Sequence, residues 1–215
     1  MGQPDCQLAA ALPFPSEAGA ARRSVRRYLP KPVPPTTLRW LLEAAIAAPS
    51  AHNRQPWRFA VLSSGQHKAR LARAMGDRLR KDRLADHDAV ADIDADVARS
   101  FARITGAATV VVVCLSMEHM DSYPDAQRSR HEHLMAVQST AMAGHGLLLA
   151  AHAQGLGACW LCAPLFCAVT VREALGLPGH WEPQGMVTLG YPVVAARPVG
   201  RRDLSEVALF LSEEP

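Results

Sequence analysis

The stretch Ala48-Pro49-Ser50-Ala51-His52-Asn53-Arg54-Gln55-Pro56-Trp57-Arg58-Phe59 decides how this chain is read. It follows an apolar helical run and gathers polar and charged side chains among two prolines and two aromatics. A connector needs only Gly, Pro or Ser to turn. This one adds Asn53 and Gln55, whose amides both donate and accept hydrogen bonds, beside two arginines. That composition suits a loop that reads a polar, planar ligand. Upstream, Arg22-Arg23-Ser24-Val25-Arg26-Arg27-Tyr28 offers guanidinium forks with a hydroxyl between them, the donor set a phosphate needs. Taken alone, that run reads equally as a solvated basic arm or a nucleic-acid contact.

Working outward, Leu38, Leu41, Leu42, Ala45 and Ile46 recur at helical spacing behind Thr36-Thr37, a candidate N-cap, and Pro49 stops the helix. Trp57, Phe59 and Val61 alternate with Arg58 and Ala60, the pattern of a strand. Residues 66–105 are helical and heavily charged, which fits either solvated helix faces or a mobile cover over a pocket. Thr109 to Leu115 (TVVVVCL) has the β-branched composition of a buried strand. From Ala126 to Gln154 there is no proline, and apolar residues fall almost all round a helix about 40 Å long. Such a helix needs burial on several sides, and sharing with a second subunit supplies it. Gly155 or Gly157 ends that helix. A strand follows over 158–162, then a short helix over 170–175 and a strand over 184–189. The elements are mixed without regular βαβ alternation, so the expected class is α+β.

The 215 residues suffice for one core. We expect a flexible arm over 1–20 and a single domain over 21–215. The formal charge of +3 is too small to imply nucleic acid or an acidic membrane. No apolar run approaches the ~20 residues of a membrane span, and the N-terminus lacks a signal-peptide pattern. Five cysteines without regular spacing argue for a reducing cytoplasm rather than a disulfide scaffold. Most of them, Cys159 and Cys162 included, read as small buried hydrophobes. No second Cys pair or His-x₃₋₅-His run completes a metal site around Cys159, Cys162 and Cys167, so no metal is expected. Trp57, Trp160 and Trp181 read as core, and His145 and His152 as core or interface groups. His52 is either a pocket wall or a loop brace.

Several motifs occur together in order: the Arg-Arg-Ser-x-Arg cluster, Ala-Pro-Ser-x-x-Asn-x-Gln-Pro-Trp-x-Phe, the late Gly155-Leu156-Gly157, Leu189-Gly190-Tyr191-Pro192 and a basic tail. Over residues 20 to 205 the chain resembles the nitroreductase-like family of FMN-dependent oxidoreductases. Within it, Gly155 to Leu161 with Leu177-Pro178 and Trp181-Glu182-Pro183 is most similar to a branch that includes the flavin-binding domain of a deazaflavin-coenzyme biosynthesis protein. The resemblance implies a mixed, mainly antiparallel sheet flanked by helices, a long central helix, and an interlocked homodimer with FMN at the interface. It implies that Arg22, Arg23, Ser24 and Arg26 hold the phosphate and ribityl chain, with Arg201 or Arg202 completing the phosphate site. It places Pro49, Ser50 and Asn53 on ribityl and ring atoms, Leu156 and Gly157 near the ring, and Gln55 as a brace. Ala51 stands where many relatives carry a second hydroxyl, and Cys162 where glutamate-bearing relatives differ.

The flavin carries the chemistry in such an enzyme, and the protein binds, orients and tunes it. No side chain is therefore nominated as a catalytic nucleophile, acid or base. No G-x-G-x-x-G follows a strand, so no separate dinucleotide domain is indicated. The expected activity is transfer of electrons from NADH or NADPH to a small conjugated acceptor, by a ping-pong sequence in the cytoplasm. Two alternatives stand: a biosynthetic flavoenzyme acting on a deazaflavin-type precursor, with Arg54, Arg58 and Arg78 to Arg83 as candidate rim cations, and a non-catalytic flavin-binding protein.

Overall fold

The computed structural model describes residues 22–194 and 199–211, so the expected arm over 1–20 lies outside the described residues. Four strands form one antiparallel sheet: β1 (Trp57–Leu62), β2 (Thr109–Leu115), β3 (Gly157–Leu161) and β4 (Glu182–Gly190), in the order β1-β2-β4-β3. Strand β2 is central, and all seven of its residues are buried. Val111 and Val113 point into one core with Val187 and Leu189. Val110, Val112 and Cys114 point into the other with Met186. This is the two-residue alternation of a strand covered on both faces, and it explains the unbroken apolar run. Each fully buried Val contributes about 1.5–3 kcal/mol relative to exposure.

The first core is closed by α1 (Pro35–Ile46), through Leu41 and Ala45, and by the 28-residue α4 (Ala126–Ala153). The second is closed by α2 (Gly65–Ala85), α3 (Val90–Thr105) and α6 (Ala168–Leu175), with the four-residue α5 (Ala163–Phe166) just after β3. The helix α1 starts one residue before the expected Thr36-Thr37 cap. Pro34 is the N-cap and no side chain caps it, because Pro35 at the first position has no N–H left to satisfy. Within α4, an 18-residue window reaches a mean hydropathy of 1.3, close to a membrane span by composition alone, contrary to the expectation that no run comes near one. Half of that window is buried against this protein's own sheet and helices. That buried half belongs to the core, while Leu134 and Met142 on the same helix stay exposed.

The charged region 66–105 is two helices: Leu71, Ala72, Met75 and Ile104 join the core beneath the sheet, and Ile93 is buried as well. Its outer face is laced by Arg78–Asp82, Arg80–Asp94 and Arg83 with Asp88 and Asp96. The ion-paired faces fit the reading as solvated helix faces, and the buried stripe beneath them is a finding of the structure. Lys68 is buried and donates to the carbonyls of Ala107 and Ala108. Burial holds its ammonium below the ordinary lysine range.

Trp160 packs between α4 and β4, where Gly144 and Gly185 leave room for the indole. A Cβ on either glycine would stand 2.4 or 2.3 Å from it. Cys114, Cys159 and Cys167 are buried free thiols, but Cys162 is exposed, contrary to expectation, because β3 ends at Leu161 and the chain turns outward there. Burial pushes the Cys114 thiol up to about 12.

Candidate functional site

The sheet has a fifth, partial member. Residues 24–29 run along β3, with Ser24 bridged in parallel to Ala158 and Tyr28 bridged antiparallel to Pro192. Val25 N–H donates to Ala158 O at 3.0 Å, and Leu29 N–H to Tyr191 O at 2.8 Å. Tyr28 locks the segment: its hydroxyl lies 2.5 Å from Val25 O and 2.9 Å from both Thr188 O and Thr188 Oγ1. Burial raises that phenol well above its ordinary value, so it stays a neutral hydrogen-bonding group.

This docking carries Arg22 and Arg23 to the turn between α4 and β3. There they line a cavity of about 320 Å³ with Leu148, His152, Leu156 and Gly157. Gly155, at φ +69°, makes the left-handed turn that ends α4. Gly157 is required by close approach, since a Cβ there would stand 2.6 Å from Val25 Cγ1. Two arginines beside a glycine-rich turn line this cavity, and Arg23 Nη1 donates to Arg22 O at 2.8 Å; guanidinium groups are the donors an anion needs. Of the expected site residues, Arg22, Arg23, Leu156 and Gly157 are thus brought together. Ser24 and Arg26 are exposed on the same segment. His152, expected to be a core or interface group, is half-buried and lines the cavity. Its sequence signal was its position one turn before the helix-ending glycine.

Pro49, Ser50 and Asn53 do not line this cavity. Their loop, a 3₁₀ turn over Ala51–Asn53, leans on the middle of α4, where Ser139 Oγ accepts Ala51 N–H at 3.2 Å. Ser139 lies nine residues before Leu148 and thirteen before His152 on the same helix. At 1.5 Å per residue the loop therefore stands about 14–20 Å from the arginine cavity along α4. Three non-glycine residues of the loop, His52, Asn53 and Gln55, have positive φ of 49°, 55° and 48°. Such backbone costs about 1–3 kcal/mol per residue and gathers at functional sites. Ser50 Oγ accepts Gln55 N–H at 3.1 Å, and Gln55 Nε2 donates to Asn53 Oδ1 at 3.3 Å, so Gln55 does brace the loop. His52 and Asn53 remain exposed.

Arg201 and Arg202 are exposed on the tail, and Arg201 donates to its neighbour's carbonyl, Gly200 O, at 3.1 Å. Neither lines the arginine cavity. A second cavity, about 310 Å³ and mostly apolar, opens on the other side of β3 between α2, α3 and α5. It is lined among others by Met75, Leu79, Arg103, Trp160, Cys162 and Phe166. No group of three or more metal-ligating side chains occurs among the described residues.

The Nitroreductase family matches residues 20–191 of this sequence. This chain belongs to the nitroreductase family. It is 32% identical to a protein of Thermus thermophilus named NADH dehydrogenase, over 90% of this chain and 94% of that one. Its fold matches a Desulfovibrio desulfuricans protein assigned as a nitroreductase and crystallised in complex with FMN. That match has a TM-score of 0.69 and 29% identity over 93% of this chain and 95% of that one. A BluB-like flavoprotein from Clostridium difficile shares the fold at a TM-score of 0.74 and 22% identity, over 92% of this chain and 98% of that one. The four-stranded antiparallel sheet with its flanking helices is this member's version of the nitroreductase fold.

Proposed function

We propose that the protein is an FMN-dependent oxidoreductase that draws on NADH or NADPH and reduces a small, uncharged, conjugated acceptor such as a nitroaromatic, a quinone or an activated C=C bond. The observation that carries this reading is the cavity where Arg22 and Arg23 meet the Gly155-Leu156-Gly157 turn. Its donors suit a phosphate dianion, and the Ser24 and Arg26 side chains on the same segment extend the donor set toward a ribityl chain. The names of the Thermus relative and the FMN complex of the Desulfovibrio protein support it. When bound, FMN supplies the two-electron transfer between nicotinamide and acceptor.

In this reading the protein is a homodimer, and Pro49, Ser50 and Asn53 of one subunit complete the site of the other. The distance between loop and arginines along α4 supports that arrangement, because a second copy related by a two-fold axis brings each loop to the opposite cavity. Exposed apolar groups on α4 and the tail support it too: Leu134 is 52% exposed, Phe210 77% and Leu211 88%. Patches of this kind are surfaces that a partner covers. Arg201 or Arg202 reaches a phosphate in the same way, from the tail. With NAD(P)H as donor, the protein works in the cytoplasm.

A small, uncharged acceptor is favoured because the candidate rim arginines that a large anionic precursor would need are already paired. Arg54 is held by Asp121, Arg58 by Glu118, Arg78 by Asp82, Arg80 by Asp94 and Arg83 by Asp88 and Asp96. The arrangement therefore favours the reductase of small acceptors over the deazaflavin-precursor enzyme.

The deciding experiment is the visible spectrum of the purified protein after incubation with FMN and desalting. About one FMN per chain, bleached anaerobically by NADH or NADPH and restored by a quinone, is the expected result. Double-reciprocal plots should be parallel, since donor and acceptor use one open ring face in turn. Retained flavin that no nicotinamide bleaches would leave a binding protein, and no retained flavin would overturn the proposal.

A further inference from the structure

The loop with three left-handed residues is held by a chain of contacts from segments far apart in sequence. Arg54 Nη2 meets Asp121 Oδ1 at 2.5 Å. The backbone N–H of Asp121 donates to Glu132 Oε1 at 3.1 Å. Glu132 lies on α4, is 1% exposed, and is thus a buried carboxylate that touches the connector between β2 and α4. Seven residues on, two helical turns along the same face, Ser139 is also buried. Its hydroxyl accepts Ala51 N–H at 3.2 Å and donates to Met135 O at 2.7 Å. One face of α4 therefore holds the loop at two points, at Ala51 directly and at Arg54 through Asp121.

The other oxygen of Glu132, Oε2, is buried with no hydrogen-bond partner among the described residues. A buried carboxylate oxygen left unmatched destabilises a fold. Such a group calls for an explanation, and the contact of Glu132 Oε1 with the Asp121 backbone offers one in placement. The Arg54–Asp121 pair is half-exposed, and a free pair of that kind contributes little. It gains force because the Asp121 backbone is anchored on a rigid helix.

We propose that Glu132 and Asp121 are positioning residues: through Arg54, and together with Ser139, they hold the loop 50–55, with His52, Asn53 and Gln55 left-handed, in the conformation that presents Asn53 to the bound cofactor. The part concerning the cofactor rests on the flavin reading above. The holding of the loop does not.

Two measurements separate them. Amide hydrogen exchange of residues 50–55 in the flavin-free protein should speed up about tenfold in Asp121→Ala and in Glu132→Ala. It should stay within twofold of wild type in Glu132→Gln, whose amide oxygen still accepts the Asp121 N–H. FMN titration should show a Kd about tenfold weaker for Asp121→Ala, with an altered visible circular dichroism of the bound flavin. In an Arg54→Ala background, Asp121→Ala should add less than a further twofold, because both act through one contact. Should Glu132→Ala fail to fold, Asp121→Ala and Glu132→Gln still decide. Exchange within twofold of wild type in Asp121→Ala, or full additivity with Arg54→Ala, would overturn the proposal. A wild-type protein that binds no FMN, yet shows the exchange pattern, would overturn the flavin reading and leave the positioning network standing.

Discussion

Replacing Gly157 by Ala tests the seam on which the arginine cavity depends. A Cβ there stands 2.6 Å from Val25 Cγ1, 2.7 Å from Val25 Cβ and 3.0 Å from Val25 Cγ2. Carbon atoms pack at about 3.5–4.0 Å, so the segment must retreat by roughly 1 Å. The Val25 N–H to Ala158 O bond is 3.0 Å long, and such a retreat takes it beyond the roughly 3.2 Å limit of a good amide bond. Overpacking costs about 1–3 kcal/mol, and the lost hydrogen bond about 0.5–1.5 kcal/mol. At about 2–4 °C per kcal/mol for a chain of this length, Tm should fall by roughly 3–18 °C. Arg22 and Arg23 move with the segment. Loss of one charge-assisted contact to phosphate, about 1.5–3 kcal/mol, weakens FMN binding by about 10- to 100-fold. Thermal melts and FMN fluorescence titration read both effects. Val25→Gly removes all three crowding atoms, so the double variant should recover most of the lost affinity. An affinity within twofold of wild type in Gly157→Ala, or no recovery in the double variant, would refute this account of the seam.

Three further outcomes follow from single residues. Asn53→Ala should weaken FMN binding and shift the bound-flavin spectrum without changing the mass in solution; Asn53→Gly, which keeps the left-handed backbone, separates the amide from the conformation. Asp125 caps α4, accepting Arg128 N–H at 2.8 Å, and this backbone bond, seconded by the Arg128 side chain, holds its carboxyl below the usual range. A group whose pKa is lower folded than unfolded stabilises fully above its unfolded value of about 4 and loses that contribution as pH falls through the folded value. The Tm deficit of Asp125→Ala should therefore be full at pH 7 and shrink as the pH drops below about 4. Iodoacetamide at pH 8 should alkylate exposed Cys162 in the native protein and reach buried Cys114 only after denaturation, as peptide mass mapping would show.

The element pattern was legible because local rules and burial agree along most of the chain. Val110 to Cys114 could only be a strand covered on both faces, and Asp125 and Gly155 bracket the long helix as a cap and a left-handed stop. The structure added detail where local signals competed or composition hid a pattern. Thr36 and Thr37 lost the cap to Pro34 and Pro35, whose missing N–H groups need no partner. Cys162 sits in an apolar run yet faces outward, because β3 ends one residue earlier. The charged helices 66–105 carry a buried stripe of Leu71, Met75, Ile93 and Ile104 that their arginines and aspartates hide in any composition count.

For the site the division is sharper. Sequence by itself determined the donor inventory: arginine forks around a hydroxyl, a loop with paired amides and a late glycine turn, since residue type sets donor capacity and charge wherever the chain places them; the resemblance added the phosphate-bearing planar ligand they would serve. Only the tertiary structure decided the company these residues keep. Val25 lies on Gly157 because Tyr28 pins its segment to β4, and that brings His152 to the arginines. The loop of Asn53 is held elsewhere along α4 by Ser139, Asp121 and Glu132. Contacts between residues 54, 121 and 132 leave no periodic trace in a sequence, because they join the ends of different elements. Packing of those elements creates them.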